Sequence, residues 1–279
     1  MQVAFRTIGI VGAAGRMGTR VRTRLAQRPE LELLLVDVGK GAEQLQQEGL
    51  HVVSGVEAAQ RSDVLVLAVP DNKIAAVAQE LVPFVRSGCA VLYLDPAVPF
   101  AGVLPQRPDV TYFVVHPSHP PLFQDEETPE ARRDHWGGIA PQSIVCTLLQ
   151  GPEEHYQPCE QLAKEIFAPI RAAYRLNIHQ MALLEPILSE AIAYTLLSVL
   201  RDAYHEAVAR GIPEPAVRDF LLGHIRVELA ILFGEIQWRP SDAAERVRMW
   251  TYPRLIKENW RRLFDDDQLH ECVQIILES

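Results

Sequence analysis

Gly12, Ala13, Ala14, Gly15, Arg16, Met17 and Gly18 follow a short apolar run, Thr7 to Val11, and open a stretch of helical character that reaches about Arg28. A first glycine permits a tight turn, a middle one lets backbone approach a pyrophosphate, and a third lets the helix pack on the strand. The free N–H groups and positive dipole end of the helix then meet the phosphates. A second apolar run, Leu31 to Val36, ends in Asp37, about twenty residues beyond the turn, where a carboxylate accepts hydrogen bonds from adenosine ribose hydroxyls. This favours NAD over NADP. Asp37 as an unrelated loop residue is the plainer reading, and Arg16 and Lys40 lie near enough in sequence to meet a 2′-phosphate, which leaves NADP open.

The chain continues as short apolar runs alternating with helical stretches. Asp63 to Val69 reads as a buried strand closing in Val69, Pro70 and Asp71, and ligands of parallel sheets sit at such carboxyl ends. Asp71 or Asn72 can cap the helix that follows, Ile74 to Val85, or touch the cofactor instead. Ala90 to Leu94 ends in Asp95-Pro96, and Val110 to Val115 ends in His116-Pro117-Ser118-His119-Pro120-Pro121. Ser143 to Leu149 and Arg171 to Arg175 add two further strands. Such alternation specifies an α/β fold, a doubly wound parallel Rossmann sheet, over residues 1–176.

From Asn177 the pattern changes. Apolar residues recur at intervals of three and four, through Met181, Leu184, Leu188, Leu196 and Leu200. One long helix is predicted, kinked at Pro186 or starting near it and stopped by Gly211 and Pro213. It belongs to an all-α domain over residues 177–279 that serves substrate binding and dimerisation. Pro117 to Pro141 is the most irregular connection, and its length suggests a functional loop.

His116 and His119 are the leading catalytic candidates. They stand at the carboxyl edge, where a nicotinamide and its substrate would meet, on backbone stiffened by prolines. A histidine there can accept a proton from a substrate hydroxyl, because its pKa lies near operating pH. Hydrogen bonding within the loop is the plainer role. His179 and Glu185, near the start of the long helix, complete the catalytic set. Glu185 and Glu190 are five apart and off a common helical face, so that pair alone gives no metal site. His224 interrupts an apolar helix, as a functional group or as a buried, hydrogen-bonded structural residue. Ser241-Asp242 reads as a helix N-cap.

A dinucleotide fold followed by a long helix and an all-α domain resembles the 6-phosphogluconate dehydrogenase and β-hydroxyacid dehydrogenase superfamily, over nearly the whole chain. More narrowly, His116-Pro117-Ser118-His119-Pro120-Pro121-Leu122-Phe123, Leu184-Glu185-Pro186 and Phe220-Leu221-Leu222-Gly223-His224 look like the D-apionate oxidoisomerase group. The resemblance implies NAD-dependent oxidation of a small hydroxy or sugar acid with coupled isomerisation. That step often recruits a divalent cation, with Glu185, Glu190 and His179 as possible ligands. Two departures stand out. Cysteine commonly occupies the position of Ser118, and the superfamily's Lys-x-x-x-Asn pair is missing, with no lysine between Lys164 and Lys257. Proton transfer then falls to His116, His119, His179, a glutamate or water. The glycine loop alone also resembles dihydrodipicolinate reductase, whose His-His-x-x-Lys and Ser-Gly-Thr motifs do not occur here and whose second domain is largely sheet. A non-catalytic NAD(P)-sensing protein is the competing class.

Composition bears on compartment and partners. A formal net charge of −9 argues against nucleic acid or an anionic membrane. No uninterrupted apolar stretch approaches the roughly 18 residues of a membrane span. The N-terminus runs straight into the first strand and reads as no signal peptide. Cys89, Cys146, Cys159 and Cys272 lack paired metal-ligand spacing and read as reduced, mostly buried thiols. A cytoplasmic protein is predicted, dimeric through its C-terminal helices because one small helical domain cannot cover its own apolar stripe.

Overall fold

The structure, a computed structural model, describes residues 5–278. The first apolar run forms β1 (Thr7–Val11), and α1 (Arg16–Leu25) starts at Gly15, whose extended backbone is its N-cap. Next come β2 (Glu32–Val36), α2 (Lys40–Gln47), α3 (Gly55–Arg61), β3 (Val64–Leu67) and α4 (Asp71–Leu81). β4 (Ala90–Tyr93), the short α5 (Ala97–Phe100) and β5 (Thr111–Pro117) extend the alternation. Every residue of β3 and β4 is buried, which is why these strands read as unbroken apolar runs: a parallel sheet is covered on both faces. Asp71 or Asn72 was expected to cap α4. The N-cap is Pro70 instead, and Asp71 lies in the first turn, where its charge meets the positive end of the helix dipole.

The expected all-parallel sheet needs one correction. Between β5 and β6 (Gln142–Gln150) the chain forms only α6 (Pro129–Arg132), too short to carry it back across the sheet, and β6 pairs antiparallel with β5. α7 (Tyr156–Ile166) then makes a true crossover, and β7 (Ile170–Arg175) runs parallel to β6. The resulting order is β2-β1-β3-β4-β5-β6-β7. It reverses direction at β1, so the crevice where such sheets take ligands opens beside the glycine turn.

α8 (Ile178–Ala182) begins in a capping box. Asn177 Oδ1 accepts the Gln180 N–H at 2.8 Å, and Gln180 Oε1 accepts the Asn177 N–H at 3.0 Å. The long helix does not start at Pro186 but at Ile178. It passes through a π-helical stretch, Leu183–Tyr194, into α9 (Thr195–Ala209). Proline has no N–H to give and its ring crowds the carbonyl one turn earlier; the wider π turn accommodates both.

Two compact units make up the chain. One comprises the residues up to Leu183 and those from Val273, and the other is Leu184–Cys272. The second unit holds α9, α10 (Glu214–Leu232), α11 (Asp242–Leu255) and a 3-10 turn, Trp260–Phe264, before α12 (Asp266–Glu278) closes the chain. Ser241 caps α11 as expected, its Oγ accepting the Ala244 N–H at 3.1 Å. Among the described residues no strand follows Arg175, so the largely sheet-built second domain of dihydrodipicolinate reductase is excluded. The helix over 178–209 is long and apolar enough to cross a membrane by length and composition, with 11% of its most apolar window buried. Glu185 and Glu190 interrupt it, which is why a search for unbroken apolar runs passes over it.

Candidate active site

The glycine turn is held from two sides. Gly12 and Ala13 both donate their N–H groups to the Val36 carbonyl, at 2.9 and 3.1 Å. Gly12 has φ +83, and a Cβ there would lie 2.5 Å from the Ala68 carbonyl oxygen and 3.0 Å from Val69 Cγ1. The end of β3 therefore presses on the turn and brings Val69 to it, while Pro70 and Asp71 follow at the exposed start of α4. Ala14 donates its N–H to Asp37 Oδ2 at 2.8 Å, and Val38 donates to Oδ1 at 2.9 Å. Asp37 is thus fixed beside the turn, as its spacing required, and each oxygen keeps a lone pair for a ribose hydroxyl. Its charge opposes a 2′-phosphate. Asp37→Ala is expected to weaken NAD about 10-fold or more, the worth of a charge-assisted hydrogen bond. It should also narrow the margin over NADP, and calorimetric titration with both cofactors checks this.

Parallel pairing of β4 with β5 delivers Asp95 and His116 next to each other. Their ligand atoms lie within 4.8 Å. Asp95 is buried and its Oδ1 accepts the Ala97 N–H at 2.7 Å, which fixes the carboxylate. His116 Nδ1 is 3.0 Å from the Leu94 carbonyl. A carbonyl can only accept, so Nδ1 carries the proton and Nε2 presents its lone pair. Burial pushes this imidazole below its ordinary 6.5, against the pull of the Asp95 carboxylate and the Leu94 carbonyl. His116 is a neutral acceptor at physiological pH.

His119 has φ +59, and its ring centroid lies 4.7 Å from that of Trp136. Its Nδ1 bonds the Trp136 carbonyl at 3.0 Å, so this imidazole also presents Nε2. The loop beyond is organised by Asp134. Its carboxylate accepts N–H groups from Trp136, Gly137, Ile139 and Ala140 at 2.8–3.2 Å. Burial works against that charge, yet the four donors hold the carboxyl below its usual range. His179 packs at 6.0 Å from Phe100 on α5, the short helix that follows Asp95.

Glu185 is half-buried and Glu190 exposed, both on the second unit's portion of the long helix. The buried reading of His224 is corrected. It is exposed, stacked on Phe220 at 4.0 Å, with Nδ1 bonded to the Phe220 carbonyl at 2.8 Å. Burial raises the Cys89, Cys146 and Cys159 thiols to about 12, so these are structural and unreactive. Asp95, Asp134 and Trp136 lay outside the set of site residues predicted from sequence. Asp95 had a legible signal, since like Asp37 it ends a buried strand at the carboxyl edge. Asp134 and Trp136 had none.

Known proteins match this arrangement across nearly the whole chain. It is 47% identical to a D-apionate oxidoisomerase of Cupriavidus necator, an alignment spanning 96% of this chain and 98% of that one. The D-apionate oxidoisomerase of Rhizobium rhizogenes is 42% identical over the same shares. The chain belongs to the D-apionate oxidoisomerase family. Consistently, residues 7–96 match the family described as NADP oxidoreductase coenzyme F420-dependent, and residues 124–277 that described as phosphogluconate dehydrogenase (decarboxylating) C-term. A crystal structure of a Cupriavidus necator protein, described as a semialdehyde dehydrogenase NAD-binding protein in complex with calcium and NAD, superposes with a TM-score of 0.93. It is 46% identical and is covered over 99% of its length, against 97% of this chain. As a member of the family this chain is an NAD-dependent oxidoreductase, and the sensor reading falls away.

Proposed function

We propose that the chain oxidises D-apionate, or a closely related branched sugar acid, with NAD and isomerises the keto acid formed. The observation that carries this is the His116 tautomer: Nδ1–H is spent on the Leu94 carbonyl, which leaves Nε2 the basic nitrogen, on a ring held beside Asp95. NAD, when bound, supplies the acceptor for the hydride that leaves the substrate carbinol. His116 takes the hydroxyl proton at Nε2, with His119 as the alternative acceptor and Asp95 stabilising the imidazolium that results. His179 and Glu185 are further proton-handling groups for the isomerisation that follows, in which a carboxylate migrates.

The same pair also fits a divalent cation, since a carboxylate oxygen and an imidazole nitrogen within 4.8 Å form a suitable donor set. Such an ion, when bound, polarises substrate oxygens. The experiment is to follow reduced-nicotinamide absorbance over a panel of sugar acids including D-apionate, with NAD and with NADP, and to identify the product. Turnover of D-apionate with NAD and a rearranged product supports the reading. Turnover of other hydroxy acids alone removes the isomerisation.

A cytoplasmic homodimer completes the reading. The second unit exposes Phe220, Phe233, Trp238 and Trp250, each more than 60% accessible. That apolar surface is more than a monomer ordinarily leaves in water. A second copy of the chain is the expected cover, through residues 177–279. Sedimentation at micromolar concentration should give a dimer; a monomer there overturns it.

A further inference from the structure

The 118–141 loop does not hang free. Arg20 Nη1 donates to the Trp136 carbonyl at 3.1 Å, and Arg24 Nη2 donates to the carbonyls of Gly138 and Ala168, the latter at 2.8 Å. Both arginines stand on α1, so the loop is fastened along the helix whose first turn meets the cofactor. Asp134 fixes the same segment from inside, and Gly137 and Gly138, at φ +90 and +131, let the backbone fold around that carboxylate. The Trp136 backbone is consequently tied to α1, while the residue remains 41% exposed.

Besides His119, the ring meets Arg16. The guanidinium carbon lies 5.2 Å from the Trp136 ring centroid, within cation–π range. Arg16 directly follows Gly15 as the first residue of α1, the position from which a side chain reaches a phosphate bound at the helix N-terminus. Exposed arginine is a long, mobile group, and ordering it on ligation costs affinity. A ring already stacked on it removes most of that cost.

We propose that Trp136 is a positioning residue of the cofactor site, which orders Arg16 for the anionic bridge of the dinucleotide. The inference rests on the reading of the glycine turn as the pyrophosphate site. It assigns a cofactor role to a residue of the distant loop, some 120 positions along the chain from the turn it serves.

The test is NADH titration of the intact protein, by calorimetry, for the wild type, Trp136→Phe, Trp136→Leu, Arg16→Ala and the double variant Arg16→Ala/Trp136→Leu. Phenylalanine keeps a π face and should bind within about twofold of wild type, whereas leucine keeps apolar bulk without one and should weaken NADH roughly fivefold. In the Arg16→Ala background the leucine substitution should add nothing, because the group it positions is gone. Equal affinities for the phenylalanine and leucine variants overturn the inference, as does a full fivefold effect of leucine without Arg16. Thermal unfolding of each variant separates a folding defect, which shifts the midpoint without reproducing this coupling and so counts against the inference. A wild type that binds no NADH would sink the pyrophosphate reading itself.

Discussion

Gly18→Ala should weaken NAD binding on the order of 100-fold and destabilise the first unit, whereas Gly15→Ala should do much less. A Cβ on Gly18 falls on the Gly12 carbonyl oxygen and 2.7 Å from Ala13 Cα. Both contacts are backbone, and neither atom can rotate away. α1 has to lift off β1, which opens the turn and moves the N–H groups that meet the phosphates. Overpacking of this kind costs about 1–3 kcal/mol or more, and the lost phosphate geometry adds a fall in affinity on the order of 100-fold. At Gly15 the added Cβ would sit 3.3 Å from the Gly12 carbonyl oxygen, which a shift of a few tenths of an ångström relieves. Thermal melts with and without NADH check the contrast. Equal melting and equal NADH affinity for the two variants would contradict it.

His116→Ala should lower turnover by roughly 10²-fold or more, the worth of a positioned acid–base group, and leave NAD affinity unchanged. The pH dependence carries its own sign. Burial lowers the His116 pKa from 6.5, so Nε2 stays available through neutral pH and is lost only as the pH falls below that ordinary value. The acid limb of kcat/KM should therefore lie under 6.5, and it should vanish in the variant's residual activity. The same shift acts on stability: the unfolded state binds the proton more readily, so stability is full above the unfolded value and declines as the pH falls through it. Treating the wild type with a chelator separates the two uses of Nε2. Loss restored by a divalent ion marks a cation ligand, and indifference to chelation marks a proton acceptor.

Asp95 and His116 show why a site is harder to read than a fold. Each was visible as the polar residue ending an apolar run, and only His116 carried a chemical suggestion by its type. Their partnership depends on β4 and β5 being neighbours in the sheet, a fact of topology and not of spacing. Trp136 is a stronger case. Nothing local distinguishes it from any loop tryptophan until Arg20 of α1 is seen to hold its carbonyl and Arg16 to lie over its ring.

By itself the sequence determined the glycine turn, its pairing with Asp37, the alternation of buried strands with helices and the change to an all-helical second part. These are local properties: glycine at positions of close approach, apolar periodicity of two kinds, and Ser241 at a helix start. The tertiary structure alone decided the direction of β6, because a four-residue helix cannot carry a crossover. It also decided that Pro186 widens a continuing helix and that His224 faces solvent. Which polar side chains meet was settled there too, since contacts between residues far apart in the chain follow from packing that no window of sequence contains.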